Sequence, residues 1–212
     1  SFILWERRRS NPFISFEIFS HRLLTRASLC AGLRMFMMSG IGFLLPLYLT
    51  DVRELSVAWI GVILVIHSSA LLVTMRLGGQ LADRWGSSRW PVVLGISMQV
   101  GAMVTYASLP GATAWPPVVI ALATHGMGAG LTLAALQRAA MGQVPQTQMG
   151  LAAGLYSMIR FFGIVLGTTL NGVLLQQGLD QGLPTVDAYQ RVYWFLAGVG
   201  SLGIAIGFTL QE

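Results

Sequence analysis

Six long apolar runs separated by short polar segments organise this chain, at about residues 27–49, 57–80, 90–109, 116–138, 149–176 and 191–210. A helix that crosses a bilayer needs roughly 20 predominantly apolar residues, and these runs have that length. Pro46 in the first run and the many glycines in the fourth and fifth do not end a helix, because neighbouring helices re-satisfy the backbone inside a membrane. Ahead of the first run, residues 10–26 place Pro12, Phe13, Phe16, Ile18 and Phe19 between charged residues, the pattern of a segment lying along a membrane surface. The chain therefore divides into a lead-in over 1–26 and a six-helix bundle over 27–212.

Composition supports the membrane reading. Of 212 residues, 54% are hydrophobic and only 10% charged, whereas a soluble domain carries about 25% charged residues. So little charge does not coat a water-facing surface, which excludes a secreted, cytosolic or disordered protein. The single cysteine, Cys30, excludes a disulfide framework and a cysteine-based zinc site, and no metal site is expected. All 13 basic residues are Arg and the formal net charge is +5. Nucleic-acid binding needs such residues gathered on one exposed face. Here they border the apolar runs, so the lipid bilayer, and not nucleic acid, is the expected partner.

The arginines also orient the bundle. Arg7, Arg8, Arg9, Arg22, Arg26, Arg76, Arg84, Arg89 and Arg138 fall on one side of the alternating spans, and only Arg53 and Arg191 on the other. The positive-inside rule makes the first side cytoplasmic. The second-to-third and fourth-to-fifth connections and the C-terminus at Glu212 are then cytoplasmic. The outward connections include the longest, with Asp180 and Asp187.

Ionisable side chains inside the spans are Arg34 on the first, His67 on the second, His125 on the fourth and Arg160 on the fifth. An ion facing lipid costs at least about 2.5 kcal/mol on insertion scales, so such groups face a bundle interior or a wet cavity. The first, second, fourth and fifth helices are expected to line an interior, with the third and sixth towards lipid. Two inner helices and one outer, given twice, is the layout of two inverted three-helix repeats. The start, without Met and with apolar Ser1–Trp5 running into Glu6-Arg7-Arg8-Arg9, reverses the order of a signal peptide and reads as the tail of a truncated helix. The chain is expected to be a piece of a longer protein.

The most specific local signal is Gly79-Gln80-Leu81-Ala82-Asp83-Arg84-Trp85-Gly86-Ser87-Ser88-Arg89. Its glycines permit a tight turn and close helix approach. Asp83 is placed to meet the start of the next helix or a nearby Arg, and Arg84 and Arg89 hold the segment at an anionic membrane face. Taken alone, this is a topology anchor with a turn. Gly79, Leu81, Ala82, Asp83, Arg84 and Gly86 match the G-x-L-A-D-R-x-G loop between the second and third helices of a six-helix half in the major facilitator superfamily, which the chain resembles. Ser87 and Ser88 stand where that family usually has two basic residues.

Further stretches resemble the C-terminal half of fourteen-helix drug/proton antiporters of the multidrug-efflux type. They are Glu6–Pro12 with Phe19-Ser20-His21-Arg22, Leu45–Leu49, Ala153-Gly154-Leu155, Arg160-Phe161-Phe162-Gly163 and Gly167. The resemblance implies an all-α membrane protein of six spans, half of a major facilitator fold, completed by a missing N-terminal half of the same protein. It implies proton-coupled efflux of amphipathic small molecules by alternating access in a bacterial cytoplasmic membrane, with no cofactor and with a proton gradient as energy source. Gly79, Leu81, Asp83, Arg84, Gly86 and Arg89 would form a cytoplasmic gate element. The fold carries many solutes, so the substrate class stays loose.

Candidates for the solute or proton pathway are Arg34, His67, His125, Gln137, Arg160 and Asn171. Arg160 lies about 16 Å into its helix, near the bilayer middle. It either attracts an anionic solute group, pairs with a carboxylate of the missing half, tunes proton binding there, or is satisfied by helix carbonyls and water. Arg34 lies nearer the cytoplasmic side and either faces the cavity or snorkels to the interface. Each His either carries a proton or hydrogen-bonds a neighbouring helix. Met35, Phe36, Met37 and Met38 offer a soft surface for apolar ligands, but at most two of four consecutive helical residues share a face. Gly126, Gly128, Gly130, Gly163 and Gly167 read as close helix packing, which also permits rocking between states. Gly203 and Gly207 could serve association in the bilayer.

No Asp or Glu lies within a predicted span, so a proton-coupling acid is expected from the missing half. No phosphate-binding G-x-x-x-x-G-K-[ST] loop supports ATP-driven export. An intramembrane enzyme is disfavoured, because His67 and Ser68 are helical neighbours that do not face each other and no nucleophile elbow or HExxH is present. The remaining alternatives are a six-helix subunit or scaffold acting as a dimer and an uptake transporter of another solute.

Overall fold

The computed structural model describes residues 21–111 and 115–210. The lead-in features before His21, including Pro12, Phe13, Phe16, Ile18 and Phe19, lie outside the described residues. Among the described residues there is no strand, and six helices are long and apolar enough to cross a membrane. They are α1 (Arg22–Asp51), α2 (Val57–Trp85), α3 (Arg89–Ser108), α4 (Trp115–Met141), α5 (Met149–Asp180) and α6 (Thr185–Phe208).

Four of the helices, α1, α2, α4 and α5, run past the C-terminal end of their apolar stretch, whereas α3 and α6 stop just short of it. The helix α1 begins at Arg22, so the end of the expected surface segment is already part of the first span. Within it, Gly40–Leu44 form a wide π-turn just before Pro46. Proline has no N–H to bond the carbonyl four residues back and its ring crowds that carbonyl, so widening the preceding turn keeps the helix continuous. The second span also extends past its apolar end, and this corrects the reading of the glycine-rich motif as a loop. Gly79 through Trp85 are the last two turns of α2, and only Gly86, Ser87 and Ser88 connect to α3. Gly86 ends the helix in the left-handed region (φ 59°), with its own N–H and that of Ser87 returning to the Asp83 and Ala82 carbonyls. A residue with a Cβ adopts that conformation at a cost, so this glycine is required by the backbone.

Helices α1 and α4 pack against each other at the centre. The helix α5 lies on α1 as α2 lies on α4, α6 lies on α1 as α3 lies on α4, and α3 packs on α6. Exchanging α1 with α4, α2 with α5 and α3 with α6 maps this set of neighbours onto itself. The fold is thus two three-helix repeats, half of a major facilitator fold.

The glycines make the closest contacts repeat as well. A Cβ on Gly126 would lie 2.4 Å from the His67 carbonyl oxygen, and one on Gly130 would lie 2.4 Å from that of Leu71, so α4 rests directly on the α2 backbone. Gly163 and Gly167 of α5 rest in the same way on the Gly32 and Phe36 carbonyls of α1. Gly128 is pressed on Gly95 of α3. The spacing of four residues puts each pair on one helix face, which is how small residues let membrane helices approach. Gly203 and Gly207 of α6 instead make ordinary to tight side-chain contacts with α3 (Ile96, Val92 and Val93).

The sidedness of the helices differs in part from the charge-based expectation. The helix α3 is well enclosed, with Val92, Ile96, Gln99, Met103 and Tyr106 buried between α4 and α6. Conversely, α2 and α5 bury one stripe each, Ile60, His67, Thr74, Gly78 and Ala82 on α2, and Ala152, Leu155, Tyr156, Gly163, Gly167, Asn171 and Leu175 on α5. Their remaining surface is open and apolar, with Val62, Val65, Leu72, Val73, Phe161, Phe162 and Val165 exposed. Both stand at the edge of the six-helix arrangement, where one main neighbour covers each of them.

Buried apolar residues form two clusters. One gathers Leu44, Tyr48, Tyr106, Leu122, Tyr189 and Tyr193 at one end, and the other Leu24, Ala31, Val92, Leu136, Ala139 and Tyr156 at the end bearing most arginines. Between them in chain order lie the buried polar residues His67 and Thr74 of α2, Gln99 of α3, His125 and Thr132 of α4 and Asn171 of α5. A polar layer crosses the middle of the bundle.

Candidate functional site

The polar layer is built where α2 meets α4 and where α1 meets α5. His67 Nε2 lies 3.1 Å from His125 Nδ1, with the ring centres 5.2 Å apart. One proton fills the space between these nitrogens, so one ring donates and the other accepts. His125 is fully buried and its Nε2 has no hydrogen-bond partner among the described residues. Gly126, directly after it, is what lets α4 approach the His67 carbonyl closely enough for the rings to meet.

On the other flank, Arg34 is only 4% exposed, and a guanidinium nitrogen reaches the Met35 thioether sulphur at 3.3 Å. It does not snorkel to the helix end. Arg34 lies within electrostatic range of Tyr156 and Arg160 of α5, and both histidines lie within range of Arg34. The Arg160 guanidinium sits 5.5 Å from the Tyr156 ring centre, and its buried Nε has no partner among the described residues. Four of the sequence-selected residues, Arg34, His67, His125 and Arg160, therefore share one neighbourhood.

Asn171 belongs to the layer through a different link. Its Nδ2 donates to Ser39 Oγ at 2.7 Å, and that hydroxyl donates to the Phe36 carbonyl at 2.6 Å. Asn171 Oδ1 and Gln99 Oε1 remain without a partner among the described residues. Gln137 is exposed on α4, close to Arg138 near the end of the helix, and the structure does not bring it to Asn171. Of the methionine run, Met35 and Met38 are half-buried, while Met37 is fully buried against Gly200 and Phe36 meets Phe195. Two of the four thus face an accessible side, as helix geometry requires.

An unpaired buried polar atom costs about 1–3 kcal/mol. The layer holds such atoms on His125, Arg160, Asn171 and Gln99 together, with donors and acceptors both represented. Sequence reasoning missed Ser39, Tyr156 and Gln99. Serine, tyrosine and glutamine are common in polar and interfacial positions, and only the helix pairing shows that these three face inward.

The arginine-rich end carries a second polar set. Asp83 Oδ1 lies 3.2 Å from Arg138 Nε, and Arg138 also donates to Ser88 Oγ at 3.3 Å. One arginine at the end of α4 thus holds the end of α2 and the turn into α3. Arg84 is exposed, and Arg89 stacks over Trp90 and Phe208. Leu81 and Gly79 are half-buried, and a Cβ at Gly79 would meet only Ala134 Cβ, at 3.5 Å. The close approach belongs instead to Gly78, where a Cβ would lie 2.2 Å from the Leu131 carbonyl. At the opposite end Tyr189 donates to Asp51, Gln190 to the Leu109 carbonyl and Arg53 to the Gly111 carbonyl.

Known proteins are similar to the chain in sequence. The chain is 24% identical over 211 residues to the quinolone resistance protein NorB of Staphylococcus aureus, covering 97% of this chain and 44% of that protein. It is 23% identical over 210 residues to the riboflavin transporter RibZ of Clostridioides difficile, covering 96% and 46%. It is 29% identical over 185 residues to the multidrug resistance protein Stp of Mycobacterium tuberculosis, covering 86% and 34%. The chain spans less than half the length of these relatives. The family model of the Major Facilitator Superfamily matches residues 2–168. With that match laid over the paired three-helix repeats, the chain belongs to the major facilitator superfamily of membrane transporters.

Proposed function

We propose that this chain is the C-terminal six-helix half of a secondary transporter that exports amphipathic small molecules by alternating access, driven by a proton gradient across a bacterial cytoplasmic membrane. The observation that carries the reading is the polar layer, with its unpaired buried atoms, midway between two apolar clusters. Polar groups at that depth are costly in a membrane protein and mark solute or ion pathways. The open faces of α2 and α5 are the surfaces on which the other half would pack, and rocking of one half on the other would take place across them. Two relatives named for quinolone and multidrug resistance favour export of drug-like compounds.

In this reading the arginine-rich end is cytoplasmic, as is the C-terminus. Asp83, Arg138 and Ser88, with Gly79, Leu81, Arg84, Gly86 and Arg89 around them, form a gate element there that steadies one state of the cycle. Arg34, His67, His125, Arg160 and Asn171 border the pathway. The proton-coupling carboxylate comes from the remainder of the protein, since the acidic residues of α1, α2, α5 and α6 lie at or near helix ends. The relative named a riboflavin transporter favours a second reading, movement of another solute on the same scaffold.

The test is reconstitution of the full-length protein in liposomes with an imposed pH gradient. Gradient-dependent export of an amphipathic dye supports the proposal. Uptake of riboflavin with no dye movement favours the second reading.

A further inference from the structure

We infer that Arg34 and Arg160 together bind the carboxylate of an amphipathic solute. This rests on the transport reading above and adds the chemical class of the substrate.

Arg34 is enclosed at 4% exposure, and the bond the structure gives its guanidinium is to the Met35 thioether, a weak acceptor that brings no charge. Arg160 stands on the adjacent helix, nearer the level of Gly32 than that of Arg34. A Cβ on Gly32, two residues before Arg34, would lie 3.0 Å from a side-chain carbon of Ile159, the residue before Arg160. Gly163, three residues after Arg160, rests on the Gly32 carbonyl. The two guanidiniums lie within electrostatic range of each other. The Tyr156 ring, 5.5 Å from the Arg160 guanidinium, holds it by a cation–π contact while its buried Nε keeps no partner among the described residues.

The described carboxylates do not reach this pair. Asp51, Glu54, Asp83, Asp180 and Asp187 lie at helix ends or in connections. Of the other ionisable groups near the pair, His67 and His125 bring either no charge or a further positive one, and the Tyr156 hydroxyl and Cys30 thiol bring none while protonated. With Arg34 enclosed and Arg160 half-buried, the two like charges are only partly screened and repel, and an anion placed between them removes that cost and gains charge-assisted hydrogen bonds. The planar donor fork of arginine matches a carboxylate. Met35 and Met38, half-buried on the same helix, and the Tyr156 ring supply apolar surface for the body of such a molecule. An Asp or Glu elsewhere in the protein carries the same group, so the test separates the two sources.

The experiment measures thermal unfolding of the detergent-solubilised full-length protein with 2-naphthoate, and with 2-naphthamide as the neutral control. A parallel arm measures gradient-driven ethidium flux in liposomes. The expected result is that naphthoate raises the unfolding temperature and the amide does not. Arg160→Gln should weaken the naphthoate effect on the order of tenfold or more, the equivalent of one charge-assisted hydrogen bond, and Arg160→Lys should keep part of it. Arg34→Gln serves as the second variant if Arg160→Gln does not fold. Equal action of naphthoate and naphthamide on the wild type overturns the inference. If Arg160→Gln then also melts earlier without any ligand, the carboxylate is the protein's own. Equal action with ethidium flux intact removes the carboxylate site and leaves the transport reading standing. A naphthoate preference lost in Arg160→Gln, with no flux of any probe, keeps the site and removes the transport reading.

Discussion

Asp83 Oδ1 and Arg138 Nε meet at 3.2 Å, joining the last turn of α2 to the last turn of α4. The Asp83 side chain is 71% exposed and that of Arg138 35%, so water screens the pair. An exposed pair of this kind contributes about 0–1 kcal/mol to stability. If its role is to steady one state of a transport cycle, Asp83→Asn should reduce transport by the full-length protein several-fold while leaving its unfolding temperature nearly unchanged. The exchange Asp83→Arg with Arg138→Asp should restore part of the rate. Flux and thermal unfolding of the two variants, measured beside the wild type, check this.

Adjacent glycines at the end of α2 should respond in opposite ways. Gly78→Ala would drive a Cβ to 2.2 Å from the Leu131 carbonyl, which is backbone and does not yield as a side-chain tip does. Overpacking of this sort costs about 1–3 kcal/mol. Gly79→Ala would meet Ala134 at an ordinary 3.5 Å and should be tolerated. Yields of folded full-length protein and their melting temperatures separate the two.

The imidazole pair predicts a coupling. His67→Leu leaves the His125 ring without its partner, and His125→Leu does the same to His67, each costing about 1–3 kcal/mol. The double variant should cost less than the sum, because neither ring is then left unpaired. A double-mutant cycle on thermal unfolding reads the difference, and additive single effects would show that the rings do not depend on each other.

Most of this architecture is written in the apolar runs. The six spans, the glycine rows on α4 and α5 and the four ionisable residues inside the spans all follow from hydropathy and from the cost of charge in lipid. What escaped lay in helix ends and in pairing. Gly79–Trp85 read as a loop because polar residues interrupt the apolar pattern, yet the helix continues one face through Gly78 and Ala82 until Gly86 turns it. A motif comparison points to Gly79, whereas the backbone contact falls one residue earlier. Arg34 looked able to snorkel because it stands nearer one end, but Gly32 and Gly163 bring α5 so close that its side chain is enclosed. Gln137 and Asn171 appear alike in sequence, and only the rotation of α4 leaves the first exposed.

Alternating access needs two halves, and the chain spans less than half of its relatives. Residues 1–212 reconstituted by themselves should therefore bind lipid as a helical bundle without moving solute. Circular dichroism checks the fold and dye flux checks the activity. Gradient-driven flux from these residues alone would point to a dimer of six-helix units.

Proton-driven transport is tested most plainly by solute movement through the purified full-length protein in sealed liposomes, with pH gradients of both polarities and with ethidium, 2-naphthoate and riboflavin as probes. The expected result is that at least one amphipathic probe moves against its gradient, with one polarity only, and that a protonophore abolishes the movement. Well-folded protein that moves none of the three under either polarity would contradict it.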